Sequence, residues 1–271
     1  LKEYNRQEHH NIARKLAEDS IVLLKNDEDI LPIKNKKVAV IGDMTKRPRY
    51  QGAGSSTINP YRLTNLLDCL KEQGIECSYA QGYERVESEN DVTLREEAIK
   101  VAKNSELVIL CVGLTENFES EGMDRFTLDI PANQNKLIEE ICKVNKKVVI
   151  VLSNGSPILM PWKDNVQAII TGYLGGEAGA EAMVNCLTGK VNPSGKLAET
   201  YPLSLEDTPC YNYYPGTEVS VEYKESIYVG YRYYDKISKN VLFPFGYGLS
   251  YTTFEYSNLN VEEDEEDIIV R

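Results

Sequence analysis

The stretch "TENFESEGMDRFTL" places Glu116, Glu119 and Glu121 within six residues, followed by Gly122 and the pair Asp124 and Arg125. Carboxyl groups that close raise one another's pKa, because each charge disfavours ionisation of the next. A carboxylic acid still protonated near neutral pH is what glycosidic bond cleavage requires, since the leaving oxygen must receive a proton. Gly122 permits a sharp bend, and Arg125 is able to pair with Asp124 or to steady a carboxylate. A solvated charged loop has the same composition, so the pattern alone leaves both readings open.

Three further stretches bear on chemistry. "RYQGAGSSTINP" (residues 49–60) joins Gly52 and Gly54, which let the backbone approach a ligand, to the hydroxyls of Ser55, Ser56 and Thr57. A nucleotide site fails on spacing: the glycines come ten residues after the preceding apolar run, with no third glycine and no P-loop lysine. A sugar would suit such a loop, and a surface turn is the plainer alternative. "LSNGSPILMPW" (residues 152–162) ends on Trp162, the only tryptophan, which would stack on a sugar ring or fill a core. "GGEAGAEAM" places Glu177 and Glu181 where a phosphate-binding helix start would need to be free of carboxylates, so helix packing explains its glycines better.

These loops need a scaffold, and the apolar pattern supplies one. Residues 9–26 read as a helix with Ile12, Leu16 and Leu23 on one face. "VAVIG" (38–42), 75–80, "LVILCVG" (107–113), "KVVIVLS" (147–153) and "QAIITGYL" (167–174) read as strands. Helices are expected over 62–73, 92–103 and 131–144, with another beginning near Glu177. This alternation predicts an α/β fold, a mostly parallel sheet with helices on both faces. Ligands in such folds sit beyond the carboxyl ends of the strands, where the candidate loops lie. From about Val191 the texture turns rich in Pro, Gly and Tyr, which predicts an extended tail wrapping the same domain. The expected divisions are a leading helix and linker (1–36), the sandwich core (37–190), the tail (191–257) and an acidic terminal segment (258–271).

Bulk properties narrow the partners. A net charge of −12 argues against nucleic acid, whose phosphates select for clustered Lys and Arg. No apolar run is long enough to span a bilayer, so no membrane partner is expected. The six cysteines are scattered without a C-x-x-C pair and His9 and His10 are the only histidines, so neither a metal nor another cofactor is expected. Reduced, structural cysteines favour a cytoplasmic over a secreted location. A start at Leu1 reads as a piece of a longer chain.

Seven stretches, in order, resemble the second domain of glycoside hydrolase family 3, the β-glucosidases and their relatives. They are "ARKLAEDSIVLLKN…LPI", "GAGSSTINP", "ESEGMDR…L…P", "LSNGSPILMPW", "GYLGGEAGAEAMVNCLTGKVNPSGKLAETYP", "YVGYRYYD" and "FPFGYGLSYTTFEYS". The resemblance covers residues 9 to about 257 and implies an α/β sandwich that follows a (β/α)8 barrel. It implies a retaining, exo-acting β-glycosidase acting on a β-linked glucoside or related oligosaccharide. The barrel, absent from this chain, would carry an aspartate nucleophile, and the fragment would be inactive alone. By position, Glu121 matches the family's acid/base, with Glu119 as runner-up and Glu116 weaker. Ser55 matches a position that reaches the sugar in some members, and Asp124 and Arg125 match residues expected to shape the loop. Residues 258–271 would then begin a fibronectin-like domain or a linker. A carbohydrate-binding module without a catalytic role is the alternative.

Overall fold

The structure, a computed structural model, describes residues 4–34, 37–263 and 266–270. Positions 1–3 of the leading segment, 35–36 of the linker, and 264–265 and 271 of the terminal segment lie outside the described residues.

Long aliphatic runs build the sheet. β2 (Lys37–Ile41), β3 (Glu76–Ala80), β4 (Val108–Gly113), β5 (Val148–Ser153) and β6 (Ala168–Thr171) pair in parallel. β1 (Val22–Asn26) joins β6 antiparallel, giving the order β1-β6-β5-β4-β2-β3. Successive side chains on a strand point to opposite faces, and both faces here are buried. Val38, Val40, Ile109, Val149 and Ile170 meet α2 (Leu66–Glu72) and α5 (Gly179–Leu187) on one side. Ile41, Leu110, Ile150 and Leu152 meet α3 (Asp91–Lys103) and α4 (Ala132–Val144) on the other. Each such buried side chain contributes about 1.5–3 kcal/mol by leaving water, which makes the sheet the rigid part of the molecule. The chain runs from β2 out to β3 and then returns past β2 to β4, so the strand order reverses between β2 and β4. Loops leaving the carboxyl ends of these two strands diverge there and leave a crevice.

The leading segment departs from its expected helix. α1 spans Arg6–Ser20 and stops before Leu23, because the β-branched and aliphatic residues that follow add a strand to the free edge of β6. Ile12 and Leu16 are 53% and 63% exposed, while His10 and Glu18 are buried. A polar seam replaces the apolar face. His10 Nδ1 lies 2.8 Å from Glu177 and Nε2 3.4 Å from Glu181, and Asn185 donates to Glu18. α2 is also shorter than expected, because the Asn65 side chain accepts from the Asp68 amide and starts the helix there.

After α5 the chain returns along the sheet edge. Gly195 N–H donates to Ile21, Leu249 N–H to Leu23, and Tyr201 and Phe243 form an antiparallel bridge. This stretch also contains a helix that the sequence pattern did not show, α6 (Tyr231–Ile237). β7 (Val261–Glu263) and β8 (Ile268–Val270) form an exposed antiparallel pair. Trp162 is 1% exposed and donates to Asn135 at 2.9 Å, so it packs in the core. Among the described residues, no helix is long and apolar enough to cross a membrane.

Candidate active site

Three loops meet over the crevice, after β2, β4 and β5, and the carboxylate of Glu119 ties them together. The turn that follows β4 closes tightly, with Phe118 and Glu119 amides both donating to the Thr115 carbonyl. Glu119 is thereby directed inward. Arg49, from the loop after β2, is 3% exposed and donates to Glu119 Oε2 at 2.6 Å, to the Glu119 carbonyl at 3.0 Å and to the Leu114 carbonyl at 3.0 Å. From the loop after β5, the Gly155 amide donates to Glu119 Oε2 at 2.9 Å and the Ser156 hydroxyl donates to Oε1. Burial alone would raise the Glu119 pKa, but the bonds from Ser156, Gly155 and Arg49 outweigh it and hold the carboxyl below its ordinary value.

Glu121 takes the opposite direction. It is exposed, and its Oε2 accepts from the Ser55 amide at 2.7 Å while its own amide donates to the Ala53 carbonyl at 3.2 Å. Hydrogen bonds from Ser55, side chain and main chain, hold its carboxyl below the ordinary value. The approach depends on Gly54. Its φ is +102°, and a Cβ there would lie 2.6 Å from Glu121 Cβ and 2.8 Å from Oε2. Only glycine lets the two loops come this close.

The crowding of glutamates therefore does not raise the pKa of Glu119 or Glu121, as the sequence led us to expect. The three side chains part: Glu116 pairs with Arg85 at 2.9 Å, Glu119 with Arg49, and Glu121 with Ser55. Each carboxylate faces donors instead of its neighbours. Asp124 accepts from the Tyr214 hydroxyl, and Arg125 donates to Ser156 Oγ at 2.7 Å and to the Pro157 carbonyl at 2.9 Å. The structure thus brings Ser55, Glu119, Glu121 and Arg125 to one rim, and places Glu116 in a separate cluster with Arg85 and Asp43.

Arg49, Ser156 and Tyr214 were not singled out from the sequence. Arg49 opens the very stretch that contains Ser55, but a lone arginine before a glycine-rich loop carries no mark of burial. The signal is topological: an arginine in the loop after one central strand finds a carboxylate in the loop after the next. A cavity of about 60 Å3, lined by Arg49, Tyr50, Cys111, Ser153 and Tyr173, lies at the carboxyl ends of the strands. It is far smaller than the ~300–1,000 Å3 of small-molecule pockets. Among the described residues, no group of three or more His, Cys, Asp or Glu is placed to hold a metal ion.

Residues 21–251 match the model of the glycosyl hydrolase family 3 C-terminal domain. The chain is 47% identical over 268 residues to thermostable beta-glucosidase B of Acetivibrio thermocellus, covering 97% of this chain and 35% of that protein. It is 45% identical over 264 residues to exo-alpha-(1->6)-L-arabinopyranosidase of Bifidobacterium longum, covering 93% and 35%. Among solved structures, the GH3 beta-glucosidase of Bifidobacterium adolescentis superposes with a TM-score of 0.93 at 45% identity, covering 97% of this chain and 39% of that one. Beta-glucosidase 3B of Thermotoga neapolitana, in complex with glucose, gives 0.88 at 30% identity, covering 99% and 42%. The chain spans about a third of the length of these curated relatives.

Proposed function

Because the chain belongs to the glycosyl hydrolase family 3 C-terminal domain family, we propose that it supplies the general acid/base of a retaining, exo-acting β-glycosidase, a β-glucosidase, with Glu121 in that role. One observation carries this reading: three donors from two neighbouring loops occupy Glu119, whereas Glu121 presents an exposed carboxylate at the same rim. Both carboxyls are held below their ordinary pKa, so the difference lies in access: a carboxylate enclosed by that many donors is poorly placed to pass a proton to a leaving oxygen. Glu119 acts instead as the anchor that fixes the loop bearing Glu121.

A barrel domain of the parent protein supplies the aspartate nucleophile and the other wall of the pocket. The two carboxyl groups then stand about 5–5.5 Å apart, the separation of a retaining pair. In the first step the aspartate attacks the anomeric carbon as Glu121 protonates the departing oxygen. In the second, Glu121 takes a proton from the water that releases the sugar. Glu121 must be protonated for the first step, and the Ser55 bonds oppose this in the open chain. Docking of the barrel excludes water from the rim, which disfavours the charged form and raises the pKa. Ser55, freed from Glu121, then faces the bound sugar, while Asp124 and Arg125 shape the loop through Tyr214 and Ser156.

Glucoside chemistry is favoured by the beta-glucosidase relatives, but similar identity to an arabinopyranosidase leaves the choice of sugar to the barrel. Leaving-group dependence in the parent enzyme tests the assignment. Glu121→Gln should lower kcat/KM roughly 100- to 10,000-fold for alkyl glucosides that need protonation, and far less for an activated aryl glucoside. Glu119→Gln should lower both together. A leaving-group dependence that follows Glu119 and not Glu121 would reverse the two roles.

A further inference from the structure

Both ends of the short turn that presents Glu121 are fastened to one hydroxyl. On one side Glu119 accepts from Ser156. On the other, Arg125 donates through Nη1 to Ser156 Oγ at 2.7 Å and to the Pro157 carbonyl at 2.9 Å. The two fastenings are not equally complete. Glu119 is enclosed by Ser156, Gly155 and Arg49. Arg125 has donors to spare: its Nε and Nη2 are buried and have no hydrogen-bond partner among the described residues. These two nitrogens form the planar edge of a guanidinium that fits a carboxylate through two parallel bonds. Burial of that edge pulls the Arg125 pKa down.

Two carboxyl groups act on the Arg125 charge, Glu119 and Glu199. Glu119 is already taken by its own donors. Glu199, in the segment that returns along the sheet edge, has a buried Oε1 that likewise has no hydrogen-bond partner among the described residues. Around it, Glu119 adds a repelling charge, and the hydroxyls of Tyr173, after β6, and Tyr201 are kept protonated by burial. Glu225, Tyr231, Arg232 and Tyr234 share with Glu199 the lining of the adjoining cavity. A protonated Glu199 has no charge to offer the free edge of Arg125, and an ionised one has.

We propose that Glu199 is a positioning residue for the rim: its carboxylate closes on the free Nε–Nη2 edge of Arg125 and fixes the far end of the turn that presents Glu121. Arg125 keeps its Nη1 bonds to Ser156 and Pro157 while the other edge turns to Glu199, because the guanidinium presents its donors in one rigid plane. The proton leaves to solvent, and the turn is then held to the return segment as well as to the loop after β5. The pairing itself does not depend on which glutamate is the acid; its effect on catalysis rests on Glu121 in that role.

Nuclear magnetic resonance of the 271-residue chain between pH 5 and pH 8.5 tests the pairing without substrate. The Glu199 carboxyl carbon and the Arg125 Nε–H signal should move together with a midpoint of about 7, and the Gly122 and Ser156 amides should follow. Glu199→Gln keeps the shape of the neutral acid and should abolish the movement at Arg125. Arg125→Gln should raise the Glu199 midpoint by roughly half a unit or more, since an opposing positive charge is removed. An Arg125 signal that stays still while Glu199 titrates would overturn the proposal, as would an Arg125 response that survives Glu199→Gln. In the parent enzyme, the ratio of wild-type to Glu199→Gln kcat/KM for an alkyl glucoside should rise about threefold or more from pH 6 to pH 8. A ratio that does not change with pH would overturn the positioning role. Neither failure touches the leaving-group test, so it stays distinct from a failure of Glu121 as the acid.

Discussion

At the scale of residues, two glutamates two positions apart have been given opposite surroundings by their loops. Glu119 faces a buried arginine, a backbone amide and a hydroxyl, and Glu121 faces solvent and Ser55. A third carboxyl, Glu199, behaves differently again. Burial and the nearby charge of Glu119 push its pKa up to about 7, with Arg125 opposing them. The sign follows from proton binding. Between its ordinary value of 4.5 and about 7 the folded chain keeps a proton that the unfolded chain releases. Stability from this group is therefore full below that window and is lost as pH rises through it. Urea unfolding at pH 5 and at pH 7.5 should show a stability drop in the wild-type chain that is smaller in Glu199→Gln. An equal drop in both would show that Glu199 does not titrate there.

At the scale of elements, the central strands and the three helices α3, α4 and α5 could be read from the sequence, because a strand buried on both faces leaves an unbroken aliphatic run. β1 could not. Val22, Leu23 and Leu24 continue the helical spacing of Ile12 and Leu16, and only the free edge of β6 makes them a strand. The inner face of α1 was equally hidden, since His10 and Glu18 look like surface residues until Glu177, Glu181 and Asn185 are brought opposite them. α6 was missed because its tyrosines read as tail composition. The rim was legible in part: the loop with Glu119 and Glu121 and the loop with Ser55 stood out, but their meeting through Arg49 needed the fold. His10→Ala would leave Glu177 and Glu181 without this partner across the α1–α5 seam, at a cost of about 1–3 kcal/mol in urea unfolding. A change within error would mean that the seam adds nothing.

At the scale of the whole molecule, the chain presents its candidate acid on an open rim, above a cavity too small for a sugar ring. The proposed activity thus needs a second body to enclose the substrate and attack it, in keeping with a chain that spans about a third of its relatives. The purified chain should hydrolyse an aryl β-glucoside no faster than buffer does. Turnover well above the uncatalysed rate would place a nucleophile within these residues. The most direct measurement of the central claim is chemical rescue in the parent enzyme, with Glu121→Ala, an activated aryl β-glucoside and added azide. The account predicts that turnover rises with azide concentration and that a β-glycosyl azide accumulates, because azide attacks the glycosyl-enzyme without needing the missing base. Unimpaired turnover by the variant, or rescue that appears with Glu119→Ala and not with Glu121→Ala, would contradict it.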